Sequence, residues 1–370
     1  MRHITKLLVA MMAIGLFLPS VSVASTTLPL SGSVIKPSDP KIQYIGRINF
    51  TNPDRPAFNF PGIEIRAAFE GTSLKMLARP MSGFFMAQVD GHKAFKVSFN
   101  AEKDSVVNIA TALQAGRHTI RIAYAIEGLN RHPEFWGFIL DDGCGLLEPS
   151  PLPNRRIEFI GNSITCAYGV ESTNAPDPFE EETENHFYGY ATLVSDALNA
   201  QHTSISRSGI GIYRNYDGPK EGSPDPMPWQ YEYTLFNDHS QAWDFSRYTP
   251  DVVCINLGTN DFSTNNYDKH LYEQGYRRFL TTVRNKYPTA KIVLITGPML
   301  GEKENSIQQK ILDRIHSDFQ KNGDKGIYRF DFTPQTGALG YGASWHPSLQ
   351  QHQRMASELT PYLQDLMNWQ

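Results

Sequence analysis

The sequence contains little cysteine, and what it contains cannot pair completely within one chain. Three cysteines occur among 370 residues. Cys254 lies inside an apolar run, which is typical of a buried thiol, whereas Cys144 and Cys166 could form one disulfide in an oxidising compartment. No other feature of the sequence supports that disulfide.

Beyond its first residues the sequence has no apolar run long enough to cross a membrane. Arg2, His3 and Lys6 precede the apolar core LLVAMMAIGLFL, and the small residues Ser22 and Ala24 precede a cleavage site. This pattern over residues 1–24 is typical of a secretory signal peptide, whose core is shorter than the roughly 18 to 20 residues that span a bilayer. No cysteine lies near the cleavage site, so we expect a secreted or periplasmic protein without a membrane anchor.

The chain also lacks an excess of positive charge. It carries 34 Lys and Arg against 38 Asp and Glu, a formal net charge of -4, and removal of the signal peptide makes the balance more negative. A mildly acidic chain of this kind offers no electrostatic footprint for nucleic acid or for an anionic membrane. The charge therefore excludes those partners and leaves the oligomeric state open.

Residues 25–145 are predicted to form an antiparallel β-sandwich. Short apolar, β-branched or aromatic runs alternate there with turn residues, and none has convincing helical periodicity. Three prolines then interrupt the segment 146–155, which we interpret as a linker. The runs that carry this prediction are KIQYIGRINF, IEIRAAFEG, GFFMAQVDG, KAFKVSF and RHTIRIAYAIEG.

Residues 156–370 show a different pattern, in which predicted strands alternate with predicted helices. This alternation predicts an α/β domain with a parallel sheet and helices on both faces. The predicted strands are 156–160, 251–258, 291–297 and 327–331, and the predicted helices are 188–200, a segment through 271–283, one within 304–321, and 347–367. In such sheets ligands bind beyond the carboxyl ends of the strands, so the residues that follow each strand are candidate site residues.

Three segments beyond strand ends or in loops carry the residue types of acyl transfer. Ser163 follows the first strand, Asn260 and Asp261 follow VVCINL, and His346 lies just before the last helix. A hydroxyl, an amide donor and an imidazole supply a nucleophile, a donor to an oxyanion and a general base. Each segment alone also fits an ordinary turn or helix cap.

Four short blocks resemble the SGNH, or GDSL-type, hydrolases. They are GNSIT at 161–165, SRSGIG at 206–211, GTND at 258–261 and SWHPS at 344–348, and they occur in the order that the family has. With a β-sandwich before the hydrolase domain, and with SITCAYG and YRNYDG, the chain most resembles the second carbohydrate-esterase family. That resemblance implies a jelly-roll-like sandwich followed by an α/β/α hydrolase domain.

Carried over to this sequence, the resemblance assigns four residues to catalysis. Ser163 would be the nucleophile and His346 the base. The Asn260 side chain and the backbone N–H groups of Gly209 and Ser163 would hold the oxyanion, whereas Asp261 would hold its turn rather than touch substrate. The implied mechanism passes through an acetyl-enzyme and needs no metal or cofactor.

The chain departs from the superfamily pattern beside both catalytic residues. Asn162 stands before the serine where the family usually has Asp, which keeps a turn-forming side chain but loses a charge. Ala343 stands three residues before the histidine, where a carboxylate usually orients the ring. Because the carbohydrate-esterase group tolerates a Ser-His dyad held by a backbone carbonyl, we expect a dyad, with Asp331 as a substitute orienting group.

Three further residues are candidates for contact with a sugar substrate. Trp345 adjoins the histidine, and Tyr213 and Arg214 lie in the loop after the second block. Packing of Trp345 and a solvated loop for Tyr213 and Arg214 are the alternative interpretations.

The resemblance implies removal of acetyl groups from plant polysaccharides or oligosaccharides, such as xylan or glucomannan. Two alternatives stay open from the sequence. One is another SGNH esterase: a lipase, a thioesterase or a peptidoglycan O-acetylesterase. The other is a carbohydrate-binding protein with weak catalysis, an alternative that Ala343 keeps open.

Overall fold

A computed structural model of the protein describes residues 31–370. The predicted signal peptide, residues 1–24, lies outside the described residues. Among those described, no helix combines the length and the apolar character that crossing a membrane requires.

The first part of the described chain forms two antiparallel sheets, as predicted. Its strands are β1 (Ser33–Ile35), β2 (Gln43–Ile45), β3 (Glu64–Gly71), β4 (Leu74–Ala78), β5 (Gly83–Val89), β6 (Phe95–Phe99), β7 (Val106–Ala110), β8 (Gly116–Tyr124), β9 (Phe135–Leu140) and β10 (Leu146–Leu147). One sheet has the order β1-β9-β4-β7, and the other has the order β10-β3-β8-β5-β6, with β2 also paired to β3. The five sequence runs that predicted the sandwich all contribute to the second sheet.

The segment predicted as a linker is partly regular. Leu146 and Leu147 pair with β3, because the three prolines begin only after them. The next strand then starts at Arg155. The irregular connection is therefore 148–154, shorter than the predicted 146–155.

The second part of the chain contains a five-stranded parallel sheet in the order β12-β11-β15-β16-β17. These strands are β11 (Arg155–Gly161), β12 (Ala200–Ser206), β15 (Val252–Asn256), β16 (Lys291–Thr296) and β17 (Ile327–Asp331), while β13 (Tyr233–Leu235) and β14 (Asp238–Ala242) form a separate hairpin. The order places β11 where the chain reverses direction across the sheet, the position at which such sheets bind ligands. Gly161, Ser206 and Asn256 are in register at the carboxyl ends of three neighbouring strands.

Helices cover both faces of the parallel sheet, as the alternation of strand and helix predicted. They are α1 (Ser163–Cys166), α2 (Tyr190–Ala197), α3 (Met227–Gln230), α4 (Lys269–Lys286), α5 (Glu302–Lys321) and α6 (Leu349–Met367). Apolar residues of α2 and α6 pack on one face of the sheet. Residues of α4 and α5 pack on the other, in a hydrophobic core that continues into the sandwich.

The sandwich and the parallel sheet belong to one compact unit, Gly32–Gln370. Phe60 of the sandwich packs edge to face on Phe236, with ring centroids 5.9 Å apart. Asn59 bonds both the backbone carbonyl and the N–H of Phe236, each at 2.8 Å. The two parts are therefore joined by buried apolar and polar contacts, beyond the single connection along the chain.

Candidate active site

Ser163 is the first residue of α1 and follows a tight turn at the end of β11. Asn162 caps the short helix, because its Oδ1 accepts the N–H of Ile164 at 3.0 Å. A Cβ on Gly161 would sit 1.9 Å from Thr165 Oγ1, so only glycine fits at the end of β11. The turn brings the Ser163 hydroxyl to the carboxyl edge of the parallel sheet.

The two ring nitrogens of His346 have different partners. Nε2 lies 2.9 Å from Ser163 Oγ. Nδ1 lies 3.1 Å from the carbonyl oxygen of Ala343 and 3.1 Å from that of Ser344. Because carbonyl oxygens only accept, Nδ1 carries the proton and Nε2 is left to accept the serine hydroxyl proton.

The backbone before His346 is bent so that these carbonyls face the ring. Ser344 and Trp345 have φ angles of +50° and +57°, in the left-handed region that non-glycine residues seldom occupy. Such residues are held in place by their surroundings. Here the N–H of Ser344 donates to Asp177 O at 3.0 Å, and that of Trp345 donates to Ala175 O at 3.2 Å.

Asp331 does not orient His346, which corrects the suggestion that it substitutes for the missing carboxylate. Its Oδ1 accepts a bond from Arg329 at 2.6 Å, and it ends β17 as an exposed residue. Within residues 31–370 the hydrogen-bond partners of the His346 ring are Ser163 and the two backbone carbonyls. The Asp331 carboxylate at the end of β17 therefore bonds the Arg329 guanidinium and not the His346 imidazole.

Burial lowers the pKa of His346 to about 4, and the two carbonyl acceptors counter this only in part. One face of the ring is covered by Tyr168, with ring centroids 4.1 Å apart and an angle of 27° between the planes. Tyr168 in turn stacks on Phe179 at 4.4 Å. The imidazole is therefore neutral at neutral pH, which is the state a general base needs.

Three residues that line the same pocket as the serine hydroxyl, Ser163, Gly209 and Asn260, have an N–H group free to donate. The backbone N–H groups of Ser163 and Gly209 donate to no other atom of the described residues. Asn260 uses one side-chain N–H to bond Ile210 O at 2.8 Å, which leaves its second N–H free for a ligand. Donors arranged in this way suit an anionic oxygen.

These groups line one open pocket of about 430 Å³. Its lining contains the predicted Ser163, Gly209, Asn260 and His346. It also contains residues that the sequence analysis did not single out: Tyr168, Ser208, Tyr216, Thr259, Ser263, Met299 and Ser344. Tyr168 and Tyr216 lie inside SITCAYG and YRNYDG, so the resemblance of these two stretches to the family was the feature of the sequence that could have indicated both tyrosines.

Tyr213 and Arg214 do not face the pocket, which corrects their predicted contact with substrate. The Tyr213 hydroxyl accepts the N–H of Asp268 at 2.6 Å. The buried Arg214 guanidinium donates to the backbone carbonyls of residues 218, 261 and 263 and to the hydroxyl of Thr264. The same segment presents Tyr216 outward instead, with 64% of its surface exposed.

Asp261 holds this loop, as predicted. Its carboxylate is fully buried and accepts the backbone N–H groups of Ile212, Tyr213 and Arg214 at 2.8 to 3.1 Å. Burial raises its pKa to about 6, although these hydrogen bonds act in the opposite direction. The third sequence block thereby fixes the position of the loop that follows the second block.

Trp345 lies beside the pocket and is 56% exposed. Its carbonyl accepts a bond from Gln335 at 2.9 Å, so the backbone of this residue is fixed while the indole is open to solvent. Contact between Trp345 and substrate remains a prediction.

One group of potential metal ligands occurs in the part of the chain that the structure describes. Oxygen or sulfur atoms of Glu127, Cys166 and Glu184 lie within 4.8 Å of one another, and all three residues are buried. Burial and the neighbouring Glu127 raise the pKa of the Cys166 thiol well above its usual value, which disfavours the thiolate that binds metals. All three cysteines are free, so the Cys144 to Cys166 disulfide is absent, and Cys254 is buried as predicted.

Two family descriptions match adjoining parts of the chain. "Carbohydrate esterase 2 N-terminal" matches residues 44–151, which contain most of the sandwich. "GDSL-like Lipase/Acylhydrolase" matches residues 157–359, which contain the parallel sheet and the four blocks.

Two curated relatives are similar to most of the chain. The cellulase/esterase CelE of Acetivibrio thermocellus is 37% identical over 333 residues, which are 90% of this chain but only 40% of that protein. An acetylxylan esterase / glucomannan deacetylase of Cellvibrio japonicus is 27% identical over 347 residues, which are 93% of this chain and 94% of that protein.

Two solved structures have the same fold over nearly their whole length. A family two carbohydrate esterase from Clostridium thermocellum, in complex with cellohexaose, is 36% identical with a TM-score of 0.83, covering 89% of this chain and 100% of that one. A family two carbohydrate esterase from Cellvibrio japonicus is 26% identical with a TM-score of 0.83, covering 92% and 99%.

Proposed function

The chain belongs to the second family of carbohydrate esterases, and from that premise we propose that it removes O-acetyl groups from plant polysaccharides. The proposal rests most directly on the 2.9 Å contact between Ser163 Oγ and His346 Nε2 beside three N–H donors. A nucleophile, its base and an oxyanion site then share one open pocket. These are the parts that acyl transfer requires.

In the first step, His346 Nε2 takes the proton of the Ser163 hydroxyl as its oxygen attacks the acetyl carbonyl carbon. The negative charge that develops on the carbonyl oxygen is held by the N–H groups of Ser163, Gly209 and Asn260. The tetrahedral intermediate collapses when the bond to the sugar oxygen breaks. The His346 imidazolium gives its proton to that oxygen, and the free sugar hydroxyl leaves.

In the second step, water attacks the acetyl-Ser163 ester while His346 Nε2 accepts one of its protons. The same three donors hold the second oxyanion. Acetate then leaves, and the proton returns from His346 to Ser163. The carbonyls of Ala343 and Ser344 keep Nδ1–H oriented throughout, which is the task that a carboxylate has in the triad.

The substrate class follows from the relatives. The Cellvibrio japonicus relative is an acetylxylan esterase and glucomannan deacetylase, and the Clostridium thermocellum structure holds a glucose oligomer. We propose acetylated xylan and glucomannan as substrates for this chain, with Trp345 and Tyr216 as the exposed aromatic faces on which sugar rings stack. The signal-peptide pattern of residues 1–24 supports a secreted or periplasmic location.

Release of acetate from acetylated xylan, from acetylated glucomannan and from small acetylated sugars tests this proposal. The expected result is release from at least one polysaccharide, together with faster turnover of aryl acetate than of aryl butyrate and longer esters. Faster turnover of the long chains would instead support a lipase or thioesterase. Absence of acetate release from every substrate would support a binding protein.

A further inference from the structure

A carboxyl group from the sandwich contacts a residue that lines the candidate active site. Glu127 follows β8 and is 6% exposed. Its Oε2 accepts the backbone N–H of Ser208 at 2.6 Å. Ser208 lines the pocket and directly precedes Gly209, whose N–H is one of the proposed oxyanion donors.

The same oxygen also contacts the segment that carries the nucleophile. Cys166 Sγ lies 3.7 Å from Glu127 Oε2 and 3.3 Å from the hydroxyl of Ser206. Cys166 ends α1, the helix that begins at Ser163. One carboxyl group therefore contacts both the helix after the serine and the loop that leads to Gly209.

The position of Glu127 is itself fixed by neighbouring segments. Its backbone N–H donates to Glu184 Oε2 at 3.1 Å. The N–H of His186, two residues after Glu184, donates at 2.8 Å to the carbonyl oxygen of Ala125, two residues before Glu127. The segment 125–127 is thus held to residues 184–186 of the α/β part by hydrogen bonds at two of its backbone positions.

We propose that Glu127 is a positioning residue for the oxyanion site: by accepting the Ser208 N–H, it fixes the peptide unit next to the one that carries the Gly209 N–H, and so helps to aim that N–H at the reacting carbonyl. This inference rests on the proposed esterase function. It gives the sandwich a direct part in catalysis, because the acceptor comes from that part of the chain.

The acceptor oxygen, and not a negative charge, is what this role requires. Burial raises the pKa of Glu127, and burial together with the Glu127 charge raises the pKa of Glu184. The groups that face Glu127 are Cys166, Glu184 and Ser208, with Arg207 as the nearby cation. The Ser208 N–H bonds a lone pair of the Glu127 oxygen, which a neutral amide oxygen also supplies.

Three substitutions in the full chain separate the acceptor from the charge. Glu127→Leu removes the acceptor, and we expect kcat on aryl acetate to fall about 10- to 100-fold while KM changes by no more than about twofold. This loss of kcat is smaller than the loss of about 100- to 1,000-fold that follows when a whole oxyanion donor is deleted. Glu127→Asp keeps a carboxyl group but withdraws its oxygen by one methylene, so kcat falls as well. Glu127→Gln keeps an acceptor oxygen without charge and rescues most of the lost kcat.

All rates are divided by the fraction of serine that reacts stoichiometrically with an organophosphonate, so a loss of folded protein does not count as a loss of kcat. Glu64→Gln is the matched control, because Glu64 is a buried carboxylate of the same sandwich that bonds Arg66 and Arg121. It is expected to lower stability and leave kcat unchanged.

Failure of the proposed esterase function and failure of the proposed role of Glu127 give different results. If the wild-type protein hydrolyses no ester, the proposed function fails. If the wild type is active and Glu127→Leu keeps its kcat, or if Glu127→Asp is active while Glu127→Gln is not, the positioning role of Glu127 is overturned.

Discussion

At the scale of the residue, the basicity of His346 is set by neutral partners. The carbonyls of Ala343 and Ser344 fix the tautomer of the ring, as a carboxylate would, but they add no negative charge to stabilise the imidazolium. Burial under Tyr168 disfavours the charged ring further. A Ser-His pair of this kind keeps its base neutral over a wide range of pH.

The pH dependence of the reaction tests this account of His346. The active form has a neutral ring, and burial lowers its pKa from 6.5 to about 4. We expect kcat/KM for an aryl acetate to be flat near neutral pH and to fall as the pH drops through about 4. An acid limb centred near 6.5 would contradict the buried, carbonyl-held imidazole.

Trp345 gives a second prediction at this scale. If its exposed indole stacks on a sugar ring, Trp345→Ala should raise KM for acetylated oligosaccharide about fivefold, which corresponds to about 1 kcal/mol. KM for a small aryl acetate should change less. Trp229→Ala is the matched control, because Trp229 is similarly exposed at 50%, whereas only Trp345 has chain neighbours, Ser344 and His346, that line the pocket. Equal effects of the two substitutions would exclude a specific role for Trp345.

Sequence reasoning anticipated the residues whose position follows from a strand end, and not those whose direction depends on a distant partner. Ser163 and Asn260 come two and four residues after the ends of β11 and β15, which are neighbours in register, so the parallel sheet brings them to the same edge. Tyr213 and Arg214 lie in a polar loop, where local pattern does not tell which side chains turn inward. Asp261, almost fifty residues away, decides that by binding the backbone of their loop.

At the scale of the element, β12 is the strand of the parallel sheet that the hydrophobic pattern did not predict. Its sequence, AQHTSIS, alternates little and is mostly polar, yet every residue of the strand is buried. The polar side chains find partners in the interior: His202 lies 3.1 Å from His186, and Ser204 bonds Ser206 at 2.8 Å. Such pairs form only after distant segments meet, so no signal within the strand predicts them.

The loop after β12 depends on Asp261, which yields a prediction about stability. Asp261→Ala leaves three buried N–H groups without their acceptor, and we expect it to lower the free energy of unfolding by about 2–4 kcal/mol and to lower kcat. Urea denaturation measures the first quantity. Asp244→Ala, which removes a surface carboxylate that caps one short turn, is the control and should cost less. Equal stability losses would show that the buried loop contacts contribute little.

At the scale of the whole molecule, the sandwich and the α/β part share a core. Apolar residues from both parts form one continuous cluster, and the buried Arg47 of the sandwich donates to Tyr233 O at 3.0 Å. The sequence predicted two domains and a linker, because a change of pattern is visible in a sequence whereas a shared interior is not. Glu127 then links the sandwich to Ser208, which lines the pocket that contains Ser163 and His346.

Cooperative unfolding follows from the shared core. We expect heat or urea to unfold residues 31–370 in a single transition, with the far-ultraviolet circular dichroism and the tryptophan fluorescence changing together. Two separated transitions would contradict the interdependence of the two parts.

The central claim is that Ser163 is the nucleophile of a carbohydrate acetylesterase, and acetate release from acetylated xylan or glucomannan by wild type and by Ser163→Ala tests it most directly. Both proteins are first shown to fold by circular dichroism. We predict release by the wild type and a loss of more than about a thousandfold in kcat for Ser163→Ala. Equal rates of acetate release by the two folded proteins would contradict the account.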